Sequence, residues 1–74
     1  MISHEKNLVK KKVEYFLKNN ISVHIVAFSR RFYNGFILPS LTDKYFELED
    51  FLFGKIIIYY SEIKGIEPYV EAKK

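Results

Sequence analysis

The chain has 74 residues, of which 49% are hydrophobic and 18% aromatic, with a formal net charge of +3 and no cysteine. This length permits a single domain over residues 1–74, and the apolar content excludes a disordered tail. The lack of cysteine excludes disulfides and thiolate metal sites, and two histidines are too few for a structural zinc. So small a domain is marginally stable, and association with further copies is a common remedy.

Membrane insertion and secretion are not expected from the sequence. The apolar runs are well short of the roughly 20 residues that cross a bilayer. The first residues, Met-Ile-Ser-His-Glu-Lys, contain an acidic residue and no apolar core, unlike a secretory signal. We therefore expect no membrane partner and a cytoplasmic location.

The first predicted element is a helix over about residues 4–18. Its apolar residues recur at helical spacing and form one stripe, with lysines on the other side. Ser3 is a suitable N-cap, and Asn19-Asn20 is a suitable stop because asparagine tolerates the left-handed conformation at a helix end. The stripe consists of Leu8, Val9, Val13, Phe16 and Leu17.

Beyond the helix, the hydrophobic period changes to that of strands. Residues 21–26 alternate as a first strand, and Ser29-Arg30-Arg31 is predicted as the following turn. Residues 32–38 are predicted as a second strand. The Asn34-Gly35 pair inside it is also a hairpin signal, but we favour Gly35 as a bend within the strand.

Three further short strands complete the predicted fold. Residues 45–50 alternate, and residues 55–60 form a β-branched and aromatic run that is buried on both faces or lies at an interface. Residues 63–66 form the last strand. The predicted class is mainly β, with one N-terminal helix and a strongly bent five-stranded antiparallel barrel over about residues 21–70.

This order of elements resembles the Sm/LSm family, including bacterial Hfq. Residues 21–50 are similar to the first Sm motif, with Gly35 at the bend of the second strand. Residues 58–68 are similar to the second motif, in which an apolar-Tyr pair, a polar turn and a spaced Ile-apolar-Pro group close the barrel. The resemblance implies an SH3-type barrel, a homo-oligomeric ring of roughly five to seven subunits, and binding of single-stranded RNA, often U- or A-rich.

Ring closure in this family pairs strand 4 of one subunit with strand 5 of the next. Such pairing would cover an apolar strand edge that otherwise invites aggregation. The residues predicted to form this subunit interface are Ile56, Ile58, Tyr59, Ile63 and Ile66.

The predicted RNA contacts combine basic and aromatic side chains. Arginines pair with phosphates and a neighbouring ring stacks on a base, although an ordinary polar turn is an equally good interpretation of residues 30–33. For the helix lysines, a solvated face is favoured over contacts with phosphates. For Tyr59 and Tyr60, packing at a subunit interface is favoured over stacking on a base. The predicted contacts are Lys10, Lys11, Lys12, Arg30, Arg31, Phe32 and Tyr60.

No catalytic residues, metal site or cofactor are predicted. His24 has no Ser, Cys or paired carboxylate placed by sequence to act with it, so a structural role is favoured. The alternative function is a structural or protein-interaction module with protein partners. Residues 43–67 contain six acids and three lysines, and this acidic balance favours the alternative. Residues 21–42 contain two arginines and no acid, a balance that would attract a polyanion.

Overall fold

The computed structural model of the protein describes residues 3–70. The predicted class, mainly β with one N-terminal helix and five antiparallel strands, is confirmed. Each predicted strand begins and ends within two residues of an observed one. In chain order the elements are α1 (Ser3–Lys18), β1 (Val23–Ala27), β2 (Phe32–Ile37), β3 (Tyr45–Asp50), β4 (Gly54–Tyr59), the 3-10 turn η1 (Tyr60–Glu62) and β5 (Ile63–Pro68).

Helix α1 packs on the sheet through the apolar stripe that the sequence predicts. Val13 is fully buried and Phe16 nearly so, whereas Leu8 is exposed. The helix ends at Lys18, and two residues later Asn20 adopts the left-handed conformation with φ 55°. The Ile21 amide donates to the Phe16 carbonyl (2.9 Å), and the Asn20 amide donates to the Leu17 carbonyl (3.1 Å). This pair of bonds is a Schellman motif, which stops the helix and turns the chain towards β1.

The five strands form one antiparallel sheet in the order β4-β3-β2-β1-β5. β1 pairs with β2 from Phe32 to Gly35, and β3 pairs with β2 from Gly35 to Ile37. At Gly35, where β2 changes partner, an added β-carbon would lie 1.9 Å from the Glu49 carbonyl oxygen. Gly35 therefore lies within a strand, as favoured from the sequence, and not in a hairpin turn.

The short η1 segment shows how far the sheet curls. Its first amide, that of Tyr60, donates to the Lys44 carbonyl ahead of β3 (3.0 Å). Its last carbonyl, that of Glu62, accepts the Phe28 amide just after β1 (2.9 Å). In a flat sheet these two points would lie at opposite ends of the strands, yet one 3-10 turn of about 6 Å joins them. The sheet therefore wraps around its own core.

The hydrophobic core lies between the inner face of the curled sheet and α1. Its largest fully buried side chains are Phe46, Ile25, Leu48, Ile58, Val13 and Val23. β4 and β5 are the two outer strands, and within residues 3–70 no ladder joins them to each other. Each of these strands therefore keeps one backbone edge open, which is the usual route by which strands pair with another chain.

Candidate functional site

The turn between β1 and β2 presents two cationic and two aromatic side chains to solvent. Arg30 and Arg31 are exposed, and the flanking Phe28 and Phe32 are 67% and 61% exposed. Two backbone bonds of 2.9 Å between Ala27 and the arginines close the turn. Arg30 adopts the left-handed conformation (φ 74°), which is uncommon for a residue with a side chain. We refer to Phe28, Arg30, Arg31 and Phe32 as the basic-aromatic turn.

A groove of about 530 Å³ lies beside the basic-aromatic turn. Its other wall is η1, which is held against the turn by the bond between the Phe28 amide and the Glu62 carbonyl. This volume lies in the range of small-ligand sites. The groove is lined by Phe28, Ser29, Arg31, Tyr33, Ser61 and Glu62.

The predicted helix lysines lie apart from the arginines. Lys10 pairs with Asp43 at 3.3 Å, and its side chain is 32% exposed, whereas Lys11 and Lys12 are exposed. The backbone carbonyl of Lys44, next to Asp43, accepts a hydrogen bond from the backbone amide of Tyr60, the first residue of η1. Lys10 is thus paired with an acid near the β3 end of η1, whereas Arg31 lines the groove beside η1 together with Glu62.

Tyr60 is a core residue in the structure, which corrects its prediction as an RNA contact. It is 3% exposed, and its ring centroid lies 5.5 Å from that of Phe46. Burial, followed by the charges of Glu14 and Asp43, raises the pKa of the Tyr60 phenol above its ordinary value of 10.0. Among the described residues its hydroxyl has no hydrogen-bond partner. Because η1 turns this side chain inward, it is not available to a base.

The predicted interface residues fall into two groups. Ile58, Ile63 and Ile66 are buried in the core of their own chain, with 1%, 4% and 6% of their surface exposed. Ile56 is half-buried and Tyr59 is 45% exposed. Ile57, which the sequence analysis did not single out, is 53% exposed. The apolar side chains that β4 can offer to a neighbour are therefore those of residues 56, 57 and 59.

A second groove, of about 530 Å³, lies on the outer face of the sheet. His24 on β1 lies directly between Asn34 on β2 and Glu67 on β5. The His24 Nδ1 lies within hydrogen-bond distance of the Asn34 Oδ1, and the His24 ring stacks on that of Phe32 at 5.7 Å and 22°. The lining residues are His24, Asn34, Glu67, Pro68, Tyr69 and Val70. Through Phe32, this groove adjoins the basic-aromatic turn.

The turn between β3 and β4 is apolar and exposed, a feature that the sequence analysis did not identify. Phe51, Leu52 and Phe53 are 53%, 83% and 70% exposed. The buried carboxylate of Asp50 shapes this turn by accepting the amides of Leu52 and Phe53 at 2.9 Å each. The same carboxylate also accepts a hydrogen bond from the backbone amide of Asn34 at 3.1 Å, which links the turn to β2. The only sequence signal for this role is an Asp placed before a short turn.

Among the side chains that the structure describes, those of residues 8–70, no group of three or more histidine or acidic residues is arranged to hold a metal ion. In the same part of the chain no helix is long and apolar enough to cross a membrane. Compared with known proteins, the sequence matches no family model, and no curated protein or solved structure matches it significantly.

Proposed function

We propose that the protein is an Sm-like subunit that binds single-stranded RNA through the basic-aromatic turn and assembles with further copies through the edges of its sheet. The observation that supports RNA binding most directly is the placement of Arg30 and Arg31 between the exposed rings of Phe28 and Phe32. Arginine pairs with phosphate through two parallel hydrogen bonds. A base stacked on an aromatic ring contributes about 1–3 kcal/mol.

The arginines support the same ligand. Arg31 lines the groove along η1, together with the acidic Glu62, and among the described residues neither Arg30 nor Arg31 forms an ion pair. The phosphates of a strand in this groove would therefore meet an arginine without an acidic partner. Because each neutralised phosphate releases counterions, such binding weakens as the salt concentration rises.

Assembly is supported by the strand order. β4 and β5 lie at the two edges of the sheet, which is where ring closure between copies requires them. The sequence of β4 is Gly-Lys-Ile-Ile-Ile-Tyr, with a single charge to discourage pairing. An apolar edge strand of this kind favours pairing with another strand, and a symmetric ring would satisfy every such edge.

RNA binding is tested by fluorescence anisotropy with labelled 15-nucleotide U and A strands. We expect the double variant Arg30→Asn/Arg31→Gln to bind at least tenfold more weakly. The salt slope should fall by about 1.4, the value for two lost phosphate contacts on a single strand. Asparagine is chosen at position 30 because it tolerates the left-handed conformation found there.

A charge-matched control is the double variant Lys18→Gln/Lys55→Gln. Lys18 ends α1 and Lys55 lies on β4, both outside the basic-aromatic turn. We expect this control to keep most of the affinity. Wild-type protein that binds neither strand, or binds with no dependence on salt, would refute the RNA-binding proposal.

The second candidate function is a protein-interaction module. The observation in its favour is the exposed apolar turn of Phe51, Leu52 and Phe53. A particle of several copies that leaves both RNA strands unbound would favour this candidate over RNA binding.

A further inference from the structure

The groove on the outer face of the sheet presents a row of three polar side chains. Glu67, His24 and Asn34 are cross-strand neighbours on β5, β1 and β2. An amide oxygen can only accept, so we assign the proton of this contact to His24 Nδ1, which leaves both N–H donors of the Asn34 side-chain amide for a ligand. The row therefore offers the two acceptor oxygens of Glu67 at one end and amide donors at the other.

Among the four RNA bases, guanine fits this order of groups best. Its pairing edge carries two adjacent donors, N1–H and the N2 amine, followed by the acceptor O6. A carboxylate accepts both donors at once, and an amide N–H donates to O6. Adenine, cytosine and uracil each present a ring acceptor or carbonyl oxygen where guanine has a donor, so a carboxylate would face a lone pair.

The groove also contains an aromatic surface that can stack on a base. Tyr69 lines it and is half-buried. The Tyr69 ring meets that of Phe51 edge to face at 5.3 Å, and its amide donates to the Ser22 carbonyl at 2.9 Å. Contacts of both ring and backbone hold Tyr69 in position, so a base would stack on it at a low cost in conformational entropy.

The contact between His24 and Phe32 connects this groove to the basic-aromatic turn. The two rings stack at 5.7 Å between centroids, and Phe32 directly follows Arg31 in the chain. A strand whose phosphates pair with the arginines thus passes Phe32 before it reaches His24. We propose that the outer groove binds a guanine base of that strand, with Glu67 and Asn34 reading its pairing edge. The inference rests on the proposed RNA binding and adds a base preference to it.

An arginine side chain of a protein partner is the main competing occupant. A guanidinium also presents two adjacent donors to a carboxylate, but it has no acceptor. It would therefore set its N–H groups against the amide donors of Asn34, whereas guanine O6 accepts from them. The composition of the row favours guanine over a guanidinium.

The test compares four 8-nucleotide RNAs by anisotropy: all-U, and all-U with one central guanine, adenine or inosine. Inosine lacks the N2 amine and so forms one hydrogen bond fewer to a carboxylate. We expect the strand with guanine to bind about tenfold more tightly than the strand with adenine, with inosine between them. In the Glu67→Gln variant the preference for guanine should disappear while the affinity for the all-U strand is kept.

Glu49→Gln is the matched control, because Glu49 is also an exposed acid of the sheet but lies opposite Phe36 and Lys55 instead of in the groove. We expect it to keep the guanine preference. Equal affinities for guanine and adenine strands, with all-U binding intact, would overturn the guanine site and leave the RNA-binding proposal standing. Failure to bind any strand would instead remove the RNA-binding proposal itself.

Two competitors separate the sources of the ligand. Guanosine monophosphate should displace the guanine strand only weakly, because it lacks the contacts of the strand to the arginines. If the mononucleotide binds as tightly as the strand, the site serves a free nucleotide and not RNA. If a short arginine-bearing peptide binds the groove in a manner that Glu67→Gln abolishes, while the RNAs show no base preference, the occupant is a protein.

Discussion

Gly35 and Glu49 approach so closely that a β-carbon at position 35 would lie 1.9 Å from the Glu49 carbonyl oxygen. It would also lie 2.8 Å and 2.9 Å from further backbone atoms of Glu49 and Asp50. Because all three neighbours are backbone atoms, no change of rotamer relieves the contact. The close approach marks the point at which β2 leaves β1 and joins β3, so the curl of the sheet depends on this glycine.

Gly35→Ala is therefore expected to lower the free energy of unfolding by about 3 kcal/mol or more. The measurement is the midpoint of urea unfolding followed by circular dichroism. Gly65→Ala is the matched control, since no atom lies within 4 Å of a β-carbon built there. Its free energy of unfolding should stay within about 0.5 kcal/mol of wild type. Similar losses in both variants would show that the contact at position 35 is not what limits substitution.

Asp50→Ala is expected to cost roughly 2–3 kcal/mol, because it leaves three backbone amides without their carboxylate acceptor. Asp50→Asn keeps one acceptor oxygen and should fall between alanine and wild type. Asp43→Ala is the control. Its side chain is 97% exposed and its single ion pair with Lys10 should contribute less than about 1 kcal/mol. An equal loss at positions 43 and 50 in urea unfolding would contradict this account.

Tyr60→Phe tests the buried phenol. The hydroxyl has no partner among the described residues, so its removal should leave stability at pH 7 unchanged or raised by about 1 kcal/mol. Folding raises the pKa of this group above 10.0, so its neutral form is favoured in the folded state. The wild-type protein should therefore lose stability as the pH rises from 10 through the higher folded pKa.

This alkaline loss is measured by thermal melts between pH 8 and about 12. It should be smaller in Tyr60→Phe than in wild type. Tyr59→Phe, which changes the exposed neighbouring ring, should keep the wild-type profile. If the alkaline loss is the same in wild type and Tyr60→Phe, another group causes it.

Ile57→Lys tests assembly through β4. Ile57 is exposed on this edge strand, and a lysine there is a common means of preventing strands from pairing. Light scattering should show wild-type particles of several copies and a mass near one chain for the variant. Leu52→Lys introduces the same charge at an exposed apolar residue of the neighbouring turn, and it should keep the wild-type mass. A wild-type monomer would refute assembly through this edge.

The elements themselves could be predicted from the sequence because they depend on local patterns. The helical stripe around Val13 and Phe16 and the stop at Asn20 arise within a few residues of each other. Tyr60 could not be placed in this way. The direction of the Tyr60 side chain depends on η1, and both ends of η1 form backbone hydrogen bonds with segments more than ten residues away in the chain. The row of Glu67, His24 and Asn34 was missed for the same reason, since its members come from three strands.

The helix, the strands, the bend at Gly35 and the turn at Ser29-Arg30-Arg31 could all be predicted from the sequence, because spacing and turn chemistry act over neighbouring residues. The side chains that remain exposed, such as those of Phe28 and Ile57, depend instead on the tertiary structure. It buried Tyr60 and Ile58, and it joined His24 to Asn34 and Glu67. Those features depend on register and on the curl of the sheet, which arise when distant segments pack together.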